Sequence, residues 1–344
     1  MVFPAKVFSA RIAALALAAT LGSAVAAQAG TLDTVKQRGN LICGVNQGLL
    51  GFSNADAAGK WTGFDVDFCR AVATAIFNDP EKVTYVPLST TERFDALKDG
   101  KVDLLSRNST WTMSRETDLP LAFVGVTYYD GQGFMVKRDS GKVSALELDG
   151  ATVCVQSDTT SEANFADYFN TNSMKFTAIA ASTPAESLEN YKTGKCTVLT
   201  TDVSQLYSER ATLADAADHI ILPDVISKEP LGPVVRQDDA KWRALVAWVH
   251  NAMLNAEELG VSSERIDEAK ASKKPDVMRL VGTEGAFGEK LGLSNDWAVN
   301  VVKTVGNYGE SYERNLGVGS KLGIPRGLNQ LWSLGGIQYA PPIR

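Results

Sequence analysis

TERFDALKDGKVDLLS (residues 91–106) and TPAESLENYKTGKCTVLT (residues 183–200) follow one plan. Each opens on a helix-start signal. Ser89 and Glu92 make an S-x-x-E capping box, and Thr183-Pro184 with Glu186 combines an N-cap, a first-turn proline and a second box. A glycine–lysine pair then ends each helix, at Gly100-Lys101 and Gly194-Lys195, and a short apolar run closes on Ser106 or Thr200. Polar residues follow at once in both. Helix-to-strand alternation of this kind belongs to parallel α/β sheets. Ligands of open α/β sheets bind beyond the carboxyl ends of the strands. The two segments therefore imply two similar halves, each presenting a polar rim at the corresponding edge.

The flanking sequence extends the pattern. In the first half, strands are expected at Leu41–Val45, Val83–Pro87 and Val102–Ser106. A helix over Phe64–Ile76 carries Phe68, Cys69, Val72 and Ile76 at helical spacing. The second half repeats this with strands at Ala151–Gln156, Lys175–Ala180 and Cys196–Thr200. A helix there follows the Thr159/Glu162 box with Phe165 and Tyr168 inward. Gly131–Lys137 reads as a strand crossing between the halves, and Ile221–Arg236 as the return. Trp242, Leu245, Val249 and Met253 then form a long helical stripe. Two crossings make the first lobe discontinuous. The expected organisation is lobe 1 over residues 30–132 and 233–270, lobe 2 over 133–232, and a glycine-rich C-terminal extension over 271–344 packed on lobe 1. Its aromatic residues are read as core.

Residues 1–29 have the order of a secretory signal. Lys6 and Arg11 precede the apolar run Ile12–Thr20, and Ala27-Gln28-Ala29 is a small-x-small cleavage site that places the mature start near Gly30. Its loss takes the net charge from −6 to about −8, because two cations leave and no acid goes with them. About 315 residues remain, enough for two cores. No other apolar run reaches spanning length, so no direct membrane insertion is expected. A mildly acidic, patternless charge distribution gives no reason to expect nucleic acid as a partner. Export permits disulfides. The spacing of Cys43, Cys69, Cys154 and Cys196 favours 43–69 and 154–196, since each pair then lies within one half.

Catalytic and cofactor signals are missing. There is no G-x-S-x-G elbow, P-loop or complete G-x-G-x-x-G, and no CxxC. His219 and His250, the only histidines, fall in apolar or helical settings. No metal, cofactor or catalytic residue is assigned. What the rims do offer suits a zwitterion, which needs a cation for its carboxylate and an anion for its ammonium when held out of water. The first rim supplies Asn108, Ser109, Thr110, Thr112 and Arg115, and arginine's planar fork matches both oxygens of a carboxylate. The second supplies Gln156, Thr159, Thr160, Ser161, Thr201 and Asp202.

GFDVDFCRAVA (63–73) followed by STWTMSRE (109–116) resembles the amino-acid-binding periplasmic proteins of polar amino-acid ABC importers, solute-binding protein family 3. Thr110, Thr112 and Arg115 match that family's T-x-T-x-x-R. VQSDTTSE (155–162) is similar to its strand–turn–helix in lobe two, and TTD (200–202) to its strand end with a ligand-binding Asp. The resemblance covers nearly all of residues 35–260. The tail GLNQLW…YAPPIR is similar to the general L-amino-acid-binding subgroup.

The resemblance implies a type II periplasmic binding protein fold, α/β, with two lobes joined by a two-strand hinge. It implies a free L-amino acid as ligand, bound with broad specificity. It further implies delivery to the permease subunits of an ABC importer by a periplasmic monomer with no enzymatic activity. Arg115 and Thr110, helped by Thr160 or Ser161, would hold the α-carboxylate. Asp202 and the backbone near Asn108 would hold the α-ammonium. Asn46 and Thr90 complete the expected set with Gln156, Thr159 and Thr201. Family members often place an aromatic over the ligand in the loop after the first strand. Here that loop reads NQGLLGFSN (46–54), with Leu49 at the stacking position and Phe52 as a structural aromatic. Trp111 is a candidate pocket wall. The alternative is an enzyme of the cyclohexadienyl-dehydratase type on the same fold.

Overall fold

The computed structural model of the protein describes residues 1–2 and 30–344. The expected signal, with Lys6, Arg11, Ile12–Thr20 and Ala27-Gln28-Ala29, lies outside the described residues. In chain order the strands are β1 (Leu41–Asn46), β2 (Asn54–Ala55), β3 (Trp61–Thr62), β4 (Val83–Leu88), β5 (Leu104–Leu105), β6 (Leu121–Phe123), β7 (Tyr128–Asp130), β8 (Gln132–Lys137), β9 (Ala151–Gln156), β10 (Phe176–Ala181), β11 (Val198–Asp202), β12 (His219–Ile221), β13 (Glu229–Leu231) and β14 (Val234–Arg236).

Two five-stranded sheets carry the fold, ordered β4-β1-β5-β14-β6 and β10-β9-β11-β8-β12. The three strands at one side of each sheet are parallel, and the return strands β14 and β8 run antiparallel to them. β5 and β11, which end the two opening segments, each lie beside the first strand of their half. The repeat read in the sequence is therefore a repeat in topology. β1 is buried along nearly all of LICGVN, as expected of a parallel strand covered on both faces. Gly100 and Gly194 both have positive φ, 72° and 76°, which explains why the two helices stop where they do.

The crossing differs from expectation. Gln132–Lys137 is a full member of the second sheet, paired on one side with β11 and on the other with β12. The crossing strand is β7, four residues earlier. It pairs antiparallel with β13, Asp130 opposite Glu229 and Leu231 opposite Tyr128. The apolar run 134–136 is wholly buried, so it stays inside a sheet, and the shorter, partly exposed β7 makes the bridge. The Thr159/Glu162 box is not formed: the Glu162 carboxylate accepts from the Asp158 N–H at 3.2 Å and not from that of Thr159. The Thr159 hydroxyl donates to the Gln156 carbonyl at 2.7 Å and leaves the helix Thr160–Thr171 without a side-chain cap.

Among the helices of residues 271–344, Trp297–Thr304 packs on the helix Phe64–Phe77, and Tyr308–Asn315 on Ala240–Glu258. Trp297, Tyr308 and Tyr312 are core residues, whereas Trp332 and Tyr339 are 50% and 68% exposed. The tail also reaches the hinge. The Asn329 side chain accepts from the Tyr129 N–H at 2.7 Å and donates to the Tyr129 carbonyl at 3.0 Å, as a neighbouring strand would.

Cys43–Cys69 and Cys154–Cys196 are both bonded. The second links residues 42 apart and lies in the core beside Met135, Tyr191 and Leu199. Closing a loop of that length removes chain entropy from the unfolded state. The double variant Cys154→Ser/Cys196→Ser is expected to lose about 2–4 kcal/mol in denaturant unfolding. An unchanged midpoint would show that this bond does not constrain the unfolded chain.

Candidate functional site

The carboxyl ends of both sheets face one polar cleft with a cavity volume of about 30 Å³. From the first sheet it is lined by Asn46 at the end of β1, Thr90 after β4, and Asn108, Thr110 and Arg115 after β5. From the second come Gln156 at the end of β9, Thr159, Thr160 and Ser161 at the following helix start, and Thr201 and Asp202 closing β11. Leu49 and Trp111 do not line it. Leu49 is buried in the first core, its N–H donating to the Ser53 carbonyl. Trp111 stacks on Phe123 at 5.3 Å between ring centres, and its Nε1 donates to Glu116 at 2.6 Å. Arg93, Arg107 and Gln205 line the cleft without having been anticipated. Arg93 sits just inside a capped helix, where an arginine reads as a surface charge. Arg107 directly precedes Asn108, so its place on the rim was the available signal.

Local structure sets each group. Gly63 has φ 134°, and a Cβ there would lie 2.1 Å from the Phe52 carbonyl oxygen, so only glycine can precede the helix Phe64–Phe77 at this point. That fixes Asp65 in the first turn. Its carboxylate accepts the Asn108 N–H at 2.9 Å and the Ser106 hydroxyl at 3.2 Å, and burial pushes its pKa up to about 6. Asn108 has a left-handed backbone, φ 34°, and its side-chain oxygen accepts from Asn46 at 3.0 Å. Arg115 donates to the Thr110 carbonyl at 2.8 Å and lies over the Phe94 ring.

Glu229, on hinge strand β13, ties the two rims together. Its carboxylate accepts the hydroxyls of Thr110 at 2.7 Å and Thr160 at 3.0 Å, with Asn164 and Ser227 each at 2.7 Å. The rims also touch directly. Gln156 donates to the Thr90 hydroxyl at 3.1 Å, and the Ser208 hydroxyl to the Leu50 carbonyl at 2.7 Å. The cleft is thus shut.

Charge is concentrated here. Burial, then Asp130 and Glu229, raise Asp202 well above the usual carboxylate range, against the pull of Arg115 and Arg93. Asp130 is pushed up to about 7, mainly by burial. Burial lowers Arg115, opposed by Glu229 and Asp202. A guanidinium from the first rim and helix N-terminal amides from the second can together take an anion, and the buried carboxylate of Asp202 on the second rim can take a cation. The histidines are elsewhere. His219 pairs its Nδ1 with the Tyr191 hydroxyl at 2.8 Å, and burial holds His250 down at about 4. No cluster of three metal-ligating side chains occurs among the described residues.

Glu209, one turn from Gln205, offers a clean pH test. Burial raises it from 4.5 to about 7, opposed only by the Gln205 amide at 2.8 Å. The folded protein then binds more protons here than the unfolded chain between those two values, so the contribution of Glu209 to stability falls as pH rises through that window. Glu209→Gln is expected to be more thermostable than wild type at pH 8, the gap closing by pH 4.5. Parallel melting curves across that range would contradict this.

The chain matches the family model for bacterial extracellular solute-binding proteins, family 3, over residues 41–265. It is 54% identical to the general L-amino acid-binding periplasmic protein AapJ of Rhizobium johnstonii, over 98% of this chain and 99% of that protein. Against the glutamate/glutamine/aspartate/asparagine-binding protein BztA of Rhodobacter capsulatus, identity is 52%, over 98% and 99%. A solved ABC-transporter periplasmic binding protein from Brucella ovis with glutathione bound superposes with a TM-score of 0.91. It is 53% identical, over 92% of this chain and 100% of that one.

Proposed function

Since the chain belongs to the bacterial extracellular solute-binding proteins of family 3, we propose that it binds free L-amino acids with broad specificity and delivers them to the membrane permease of an ABC importer. It works as a monomer in the periplasm, after signal cleavage near Ala29-Gly30. Lobe 1 spans residues 30–132 and 233–270, lobe 2 spans 133–232, and residues 271–344 brace lobe 1 and the hinge. The observation that carries this reading is the single cleft that faces Arg115 and Asp202 from opposite sheets.

The hydrogen bonding refines the roles. The Thr110 and Thr160 hydroxyl protons are committed to Glu229, so those oxygens are left as acceptors. The ligand carboxylate is therefore met by Arg115 and by the helix-start amides of Thr160 and Ser161. The ammonium is met by Asp202, with the Thr110 hydroxyl oxygen and the backbone near Asn108. Hinge motion about β7 and β13 opens the cleft, and the ligand's two charges favour closure.

A second reading is supported by the glutathione-bound relative. A γ-glutamyl peptide keeps a free α-amino and α-carboxyl pair at one end, which the same clamp can grip. The relatives are named for amino-acid binding, which supports this function over dehydration chemistry. Thermal-shift screening of the twenty amino acids with glutathione tests both readings. A rise in Tm with many amino acids is expected. No response to any amino acid, or turnover of prephenate or arogenate, would overturn the proposal.

A further inference from the structure

One side chain covers the outer edge of hinge strand β7. Tyr129 lies opposite Pro230, between the pairs Tyr128–Leu231 and Asp130–Glu229. In an antiparallel ladder the backbone groups of alternate residues point away from the partner strand. Those of Tyr129 do, and the Asn329 amide meets both, at 2.7 and 3.0 Å. Asn329 is 3% exposed and is itself held from behind. The Arg326 guanidinium donates to the Asn329 carbonyl at 3.1 and 3.0 Å. It also donates to both carboxylate oxygens of Glu257, at 3.0 and 3.2 Å, and lies over the rings of Tyr308 and Tyr312. Glu257 belongs to the long helix Ala240–Glu258, whose apolar face is in the first core. A continuous chain of contacts therefore runs from that helix to the hinge.

The next residue along β7 is Asp130. Its carboxylate accepts the N–H of Gly131 at 2.9 Å and that of Ser204 at 3.3 Å, at the start of the helix that follows Asp202. We propose that Asn329 is a positioning residue for ligand binding. By gripping both backbone groups of Tyr129, it fixes the hinge strand at the angle that shuts the cleft and sets Asp130 beside the end of β11. The proposal rests on the amino-acid-binding reading, with Arg115 and Asp202 as the groups that touch ligand. One planar amide can make two well-aligned bonds to a peptide segment in a single orientation only. Opening bends β7 relative to the helix that anchors Asn329, so the grip is complete in the shut form and weakened in the open one. It therefore adds to closure, and through closure to affinity.

Calorimetry with L-glutamate, L-glutamine and L-alanine on wild type and Asn329→Ala, well below the melting transition, tests this. Asn329→Ala is expected to raise Kd about 10-fold, the net worth of one or two hydrogen bonds. The factor should be the same for all three ligands, because the hinge serves every one of them. A residue that merely braced the tail would lower Tm and leave Kd unchanged. That outcome, a lower Kd, or a loss confined to one ligand would overturn the proposal alone. Should Asn329→Ala not fold, Glu257→Gln keeps the side chain's size and removes the charge that anchors Arg326. It is expected to raise Kd about threefold for all three ligands, and an unchanged Kd there would count equally against the proposal. Failure of wild type to bind any amino acid would instead remove the general reading, and this one with it.

Discussion

Arg115→Ala is expected to raise Kd about a thousand-fold for every amino acid that wild type binds, about 4 kcal/mol of lost affinity. The loss should not depend on the ligand's side chain, because the group removed serves the carboxylate that all of them share. Two effects add. A buried ligand carboxylate loses the cation whose fork matches both its oxygens. Asp202 also loses one of the two guanidiniums that hold its pKa down, so its charged form becomes harder to maintain. Stability without ligand should change little, since the one hydrogen bond of this side chain goes to the Thr110 carbonyl. Arg115→Lys should recover part of the affinity, because a point charge replaces a bidentate one. Calorimetry decides between this and a merely structural role. Undiminished affinity for all ligands would show that the carboxylate is held elsewhere.

Much of this architecture could be read before any coordinates. Capping boxes, stopping glycines and short apolar runs are local signals, so the helices after Ser89 and Thr183 and the strands at Leu41, Val83 and Ala151 fell near their observed limits. The rim could be read for the same reason. A strand's carboxyl end is a position along the chain, and Asn108, Thr110, Gln156 and Asp202 sit at or just after such ends. What escaped depends on contacts between distant residues. Nothing local separates β8 from a crossing strand, because its place in the second sheet is set by pairing with β11 and β12. Trp111 sits among rim residues in sequence, yet its ring turns onto Phe123, because the stack and the Glu116 hydrogen bond satisfy an indole better than a polar cleft does. Arg93 escaped in the opposite sense. Its place in a capped helix suggests solvent, and only the fold brings Ser109 and Asp202 round it. Glu229 lies far from both rims in sequence and binds both.

Asp202→Asn is expected to weaken amino-acid binding by about 100- to 1000-fold, and to do so with a signature that no packing defect would copy. Burial beside Asp130 and Glu229 favours the protonated form of Asp202 in the empty cleft. A ligand ammonium favours the ionised form. Binding therefore expels a proton wherever pH lies between the two resulting pKa values, and affinity rises with pH across that interval. In wild type the measured binding enthalpy should vary with the ionisation enthalpy of the buffer. The slope gives the number of protons released. Asparagine keeps the shape and one acceptor but has no proton to lose, so the slope should vanish together with most of the affinity. If the variant binds weakly but keeps the full slope, the proton comes from Asp130, which burial pushes up to about 7. The ammonium would then sit against the hinge pair and not against the end of β11.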